Sequence, residues 1–132
     1  MRLPHHAEIV AALRRPTLEE PWRVLLSGCL AGAACGVDGT DYGLGERLPE
    51  WARPPLVTTF GFCPEDYRLG TPRTMPDLHD GDGFAVLAGT ARVLDEHRND
   101  LTEAMLAGAR AMLGLAREHR VDFALLTDRS GA

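Results

Sequence analysis

The sequence predicts an α/β domain with an open sheet, and three observations carry that expectation. The runs Val24-Leu25-Leu26, Leu56-Val57-Thr58-Thr59-Phe60 and Val121-Asp122-Phe123-Ala124-Leu125-Leu126 are apolar or β-branched and read as strands, the first of them buried. Each run gives way to a loop of small residues, and two of those loops carry cysteine, in Ser27-Gly28-Cys29 and Gly61-Phe62-Cys63. An amphipathic helical stretch lies before the last run, with Leu101, Met105, Leu106, Ala109, Met112, Leu113, Leu115 and Ala116 on one stripe. In open α/β sheets ligands sit beyond the carboxyl ends of the strands. If the first two strands are parallel neighbours, Cys29 and Cys63 meet at that edge and form one site.

Bulk properties bound the rest. A chain of 132 residues fits one domain with its own core. Hydrophobic residues make up 45% and charged residues 25%, the balance of a globular protein. The net charge of -5 argues against nucleic acid as a partner, since a phosphate backbone calls for a basic surface. No apolar run approaches the length needed to span a membrane. The start, Met1-Arg2-Leu3-Pro4-His5-His6, lacks the apolar core of a secretion signal. Three cysteines without such a signal speak against a disulfide framework and for a reducing compartment, so a cytoplasmic location is expected.

Taken in order, residues 1–21 form an N-terminal helical extension and 22–132 the α/β domain. His5 to Arg15 has helical spacing at Ala7, Ile9, Val10 and Leu13, and Pro16 stops it. His5 and His6 read as surface residues rather than metal ligands. After the first strand comes Cys29-Leu30-Ala31-Gly32-Ala33-Ala34-Cys35-Gly36, where small residues let the backbone approach whatever is bound. Two thiols there point to a metal, an electrophile or a partner sulfur. The alternative is that both are small buried hydrophobes. A short helix is expected around Leu44 to Trp51. Arg68 to Asp82 reads as one long loop, rich in glycine, proline and acids. Phe84-Ala85-Val86-Leu87 and Ala91-Arg92-Val93-Leu94 flank Ala88-Gly89-Thr90 as a hairpin or a strand pair broken by a turn. Asn99 or Asp100 caps the long helix, whose methionines fill the core.

Several of these pieces occur in a recognisable order. Val24-Leu25-Leu26-Ser27-Gly28-Cys29-Leu30-Ala31-Gly32 is followed by Cys35-Gly36-Val37-Asp38-Gly39, Phe62-Cys63-Pro64-Glu65 and Gly70-Thr71-Pro72-Arg73. Then come Gly81 to Val93 and Leu125-Leu126-Thr127-Asp128-Arg129-Ser130-Gly131-Ala132. Over residues 22–132 the ordered set resembles a bacterial family, long catalogued as a domain of unknown function, that includes 2-thiouracil desulfurase. The resemblance implies a Rossmann-like, three-layer α/β domain with a mainly parallel sheet. It also implies a [4Fe-4S] cluster held by three cysteines, whose remaining iron takes sulfur from a thiolated base.

Carried over residue by residue, Cys29 and Cys63 are cluster ligands. The family's third cysteine is expected directly after Ala132, so the sequence reads as a C-terminally shortened member. Cys35 is the candidate to stand in for it. Ser130 matches the serine before that third ligand and is a candidate to assist the ring carbon or a water; its other reading is a turn serine. Glu65 is a candidate acid/base, or simply an acid at a helix start. Arg73 could bind a substrate oxygen, or hold its loop by a salt bridge. Asp38 could contact substrate, or hydrogen-bond its own glycine turn.

The expected partner is a small thiolated base. An edge strand left uncovered by shortening would also favour a homodimer. Two alternatives stand beside the enzyme reading. One is a non-catalytic module that binds a small molecule or metal, or an inactive relative. The other is zinc held by Cys29, Cys35, Cys63 and a histidine, which has the ligand count without the close pair spacing of zinc sites.

Overall fold

The computed structural model describes residues 4–41 and 43–127. Its centre is β1 (Trp22–Ser27), flanked by β2 (Val57–Phe62) on one side and β5 (Phe123–Leu125) on the other, both parallel to it. The register pairs Trp22 with Val57 and Ser27 with Phe62, and Val24 with Phe123. The expected α/β class with a parallel sheet is therefore observed. Val24 and Leu26 are 0% and 1% exposed on one face of β1, and Leu25 is 3% exposed on the other. Both faces of the central strand are thus covered, which is why the run is continuously apolar.

The face of Val24 and Leu26 packs with Val57, Trp22, Leu30, Leu48, Phe123 and Leu125. A second core gathers Val86, Ala91, Val93 and Met105. It lies where α3 (Gly83–Ala88), β4 (Arg92–Leu94) and α4 (Thr102–Glu118) come together. The remaining helix of the domain, α2 (Pro64–Leu69), lies directly against α4. Their contact is backbone on helix: a Cβ added at Gly108 would stand 2.0 Å from the Pro64 carbonyl oxygen. Only glycine permits that approach, and it seats the start of α2, with Cys63 just before it, on the long helix.

Four local expectations are corrected. Phe84 to Leu87 is helix, not strand: Asp82 Oδ1 accepts the Ala85 amide at 3.0 Å and Gly89, at φ +82°, ends the turn. A short apolar run is ambiguous by period, and the caps at both ends decide it. The 68–82 stretch is not all loop, since β3 (Asp77–His79) pairs antiparallel with β4. Two 3-10 turns, Leu44–Arg47 and Glu50–Ala52, replace the single helix around residues 44–51. The N-cap of α4 is Leu101, which has no capping side chain, although Asp100 Oδ1 still accepts the Thr102 amide at 2.9 Å.

In the N-terminal segment, α1 (His6–Ala12) is shorter than its periodic stretch and buries no residue. A capping box of His5 and Glu8 starts it. The segment is clamped to the sheet by Arg14, whose guanidinium donates to both Asp122 oxygens at 3.1 and 2.9 Å and to the carbonyls of Glu20 and Pro21. The Trp22 indole N–H donates back to the Arg14 carbonyl at 2.8 Å. Among the described residues, no helix is long and apolar enough to cross a membrane.

Candidate functional site

Because β1, β2 and β5 run parallel, their carboxyl ends share one edge. The Gly28 amide donates to the Phe62 carbonyl at 3.0 Å, which carries the β1–β2 pairing one residue past the strand. Cys29 then starts a tight turn, in which the Leu30 amide donates to Ser27 and the Gly32 amide to Cys29. Cys63 follows β2 directly and is the N-cap of α2, its sulfur accepting the Asp66 amide at 3.4 Å. On the third strand, the Thr127 amide donates to Ser27 Oγ at 3.1 Å. The chain just after β5 is thereby tied to the end of β1, beside the Cys29 turn.

Cys35 comes back into this edge. A Cβ built on Gly28 would lie 3.0 Å from Cys35 Sγ and 3.3 Å from Cys63 Cβ. The bare Gly28 backbone therefore forms the floor between the two cysteines. Cys63 Sγ lies 4.0 Å from the Cys35 carbonyl oxygen. Cys35 is 7% exposed, while Cys29 and Cys63 are half-buried, and all three are free thiols. Burial pushes the Cys35 thiol up to about 12, and the negative charge and hydrogen bonding of Cys63 and the charge of Cys29 push the same way. The Arg73 guanidinium opposes the shift. Cys29, Cys63 and Arg73 thus each lie within electrostatic reach of Cys35.

Glu65 and Arg73 are brought together, with each other. Arg73 Nε and Nη2 donate to Glu65 Oε2 at 3.1 and 2.7 Å, and the two side chains are 5% and 6% exposed. Arg73 Nη1 also donates to the Gly70 carbonyl and Thr71 Oγ1, and the Arg73 amide to the Val37 carbonyl. One residue thereby joins the loop after Cys35 to the helix after Cys63. This is the salt-bridge alternative for Arg73, satisfied in the interior rather than at the surface. Asp38 is exposed, and its Oδ1 accepts the Thr40 amide and hydroxyl at 2.9 and 2.7 Å. Those bonds hold its carboxyl below the usual range. Asp38 therefore ties its own turn. Ser130 lies outside the described residues.

Sequence reading missed Gly28 as the floor of the site and Ser27 as the anchor for the segment after β5. A small residue at a strand end was a signal for the first. No signal pointed to the second, whose partner is 100 residues away. Among the described residues, no three His, Cys, Asp or Glu side chains are arranged to hold a metal ion.

The chain is similar to known proteins over most of its length. The sequence model of the 2-thiouracil desulfurase family matches residues 24–132. The uncharacterized protein YbbK of Bacillus subtilis (strain 168) is 30% identical over 110 residues, 81% of this chain and 70% of that protein. The solved structure of the [4Fe-4S]-dependent thiouracil desulfidase TudS matches with a TM-score of 0.55 and 26% identity. That match covers 83% of this chain and 66% of the other, so the chain spans about two thirds of the length of this relative. With the family pattern running from the core of β1 through both cysteine loops to residue 132, the chain belongs to the 2-thiouracil desulfurase family.

Proposed function

We propose that this protein removes sulfur from a thiolated nucleobase such as 2-thiouracil, using a [4Fe-4S] cluster bound through Cys29 and Cys63. Cys35 is the candidate third thiolate within the described chain. The observation that carries the reading is the meeting of Cys35 and Cys63 over the bare Gly28 backbone, next to Cys29, at the carboxyl edge of a parallel sheet. That donor set suits a cluster better than a single ion. On a cluster each cysteine binds a different iron, so the thiols need not close on one point. When held by three cysteines, such a cluster supplies an iron with an open position, soft enough for a thiocarbonyl sulfur.

The chain's own residues have distinct tasks. The Cys63 loop and the Cys35 loop are held in register by Arg73. Glu65 is the candidate proton carrier. Its Oε2 is engaged by Arg73, which orients the carboxylate and leaves Oε1 outside that pair to receive or deliver a proton. Ser130 is the candidate to assist the ring carbon or the incoming water. Arg73 and Asp38 are the candidate substrate contacts; Arg73 also joins the loop after Cys35 to α2, and Asp38 ties its own turn through Thr40. The thiols and the cluster both suit a reducing compartment such as the cytoplasm.

A second reading is a small-molecule-binding module without a cluster, since the chain spans 66% of the [4Fe-4S]-dependent relative. Anaerobic reconstitution decides between the two. About four irons and four sulfides per chain with a broad brown absorption band, followed by release of sulfide from 2-thiouracil, is the expected result. A chain that takes up no iron yet still binds the base would establish the second reading.

A further inference from the structure

We propose that Cys35 and Cys63 are an oxidative modification pair, which a hydroperoxide such as hydrogen peroxide closes to an intramolecular disulfide in the cluster-free chain. Cys63 is the attacked thiol and Cys35 the resolving one. The inference goes beyond desulfuration and does not depend on it.

Contact and access divide the roles. The sulfur of Cys35 and the Cβ of Cys63 flank the same small volume over Gly28, and Cys63 Sγ lies 4.0 Å from the Cys35 carbonyl oxygen. Cys63 is half-buried, so a small oxidant reaches it, whereas Cys35 is 7% exposed and faces its neighbour rather than solvent. The Asp66 amide donates to Cys63 Sγ and holds that sulfur in place. Both residues lie outside helix and strand, Cys35 after the β1 turn and Cys63 between β2 and α2, so neither backbone is fixed within a regular element.

The chemistry balances. The Cys63 thiolate attacks one peroxide oxygen; an S–O bond forms, the O–O bond breaks, and hydroxide leaves to take up the proton that Cys63 lost. The Cys35 sulfur then attacks the Cys63 sulfur. An S–S bond forms, the S–O bond breaks, and the Cys35 thiol proton leaves with the hydroxyl as water. Two thiols and one peroxide become one disulfide and two waters. Closing the disulfide withdraws two of the three thiols from the donor set. Reduction then has to precede any cluster loading.

The test uses the reduced, metal-free full chain with an equal amount of hydrogen peroxide, followed by alkylation and non-reducing peptide mapping by mass spectrometry. The expected result is a peptide linked through Cys35 and Cys63, with Cys29 alkylated and the link reversed by dithiothreitol. Cys35→Ser is expected to trap Cys63 as the sulfenic acid, captured by dimedone, and circular dichroism checks that this variant is folded. The proposal is overturned if Cys63 proceeds to sulfinic acid in the unaltered chain while Cys35 remains alkylatable, or if the linked peptide contains Cys29. Neither readout uses iron or turnover, so failure here is distinct from failure of the desulfurase reading.

Discussion

Replacing Gly108 with alanine is expected to lift α4 off the start of α2 and destabilise the chain, and the identical change at Gly114, six residues on, is expected to stabilise it. The added Cβ at position 108 would lie 2.0 Å from the Pro64 carbonyl oxygen, 2.8 Å from its carbonyl carbon and 3.0 Å from its Cα. Carbon–oxygen contacts begin at about 3.3 Å, so the helices must separate by about 1.3 Å. The opposing atoms are backbone, so no side chain can turn aside. Overpacking of this kind costs about 3 kcal/mol, and the better helix propensity of alanine offsets about 1 kcal/mol of it. Gly114, on the same helix, is exposed and has nothing within 4 Å of its would-be Cβ. Gly114→Ala therefore keeps the propensity gain of up to about 1 kcal/mol. For a chain of this length 1 kcal/mol moves Tm by about 4 °C. Thermal denaturation followed by far-UV circular dichroism should show Gly108→Ala melting about 8 °C lower and Gly114→Ala up to about 4 °C higher. Two variants that both melt higher would refute the seating of α4 on Pro64, and with it the support that α4 gives to the Cys63 loop.

Other consequences follow from named contacts. Removing one partner of the buried Glu65–Arg73 pair, in Glu65→Gln or Arg73→Met, should cost about 3–5 kcal/mol because a charge is left buried without its counterpart. The double variant should cost clearly less than the sum in urea denaturation, and strict additivity would show that the two are not coupled. Asp95 is 5% exposed, and its carboxyl is held down to about 2, chiefly by the Asn99 side chain and further by the Asn99 and His97 amides. The folded chain thus binds this proton more weakly than the unfolded chain. Its stabilisation is full above about 4, the unfolded carboxyl value, and is lost as pH falls through about 2. Asp95→Asn should flatten acid denaturation across that window, and an unchanged acid limb would exclude the site as its source. Gly28→Ala should lower iron uptake on reconstitution more than it lowers Tm, since its methyl would press on Cys35 Sγ at 3.0 Å and Cys63 Cβ at 3.3 Å. Full uptake would show that the cysteines do not need that space.

The three sheet strands were readable in the chain because each is an apolar or β-branched run, although only the central β1 is buried on both faces while β2 and β5 flank it and stay partly exposed. The cysteine loops were readable for a related reason: a strand that stops at glycine and cysteine marks its own end. Short elements were harder. Phe84 to Leu87 has the composition of a strand, and only the Asp82 cap and the Gly89 turn make it helix. The strand Asp77–His79 has little apolar pattern and exists through its pairing with β4.

By itself, the sequence determined the α/β class, the strand runs and the two loops in which Cys29 and Cys63 sit, because apolar runs and turn chemistry are local properties, while the parallel pairing of the strands is seen in the fold. Tertiary structure alone decided the partners. Arg73 reaches back to Glu65 and to Val37, Ser27 takes the Thr127 amide, and Cys35 folds in over Gly28 against Cys63. Each of these contacts joins separate segments of the chain. Its energy comes from removing charge, amide or sulfur from water together with a complement, and no single segment contains both halves of such a pair.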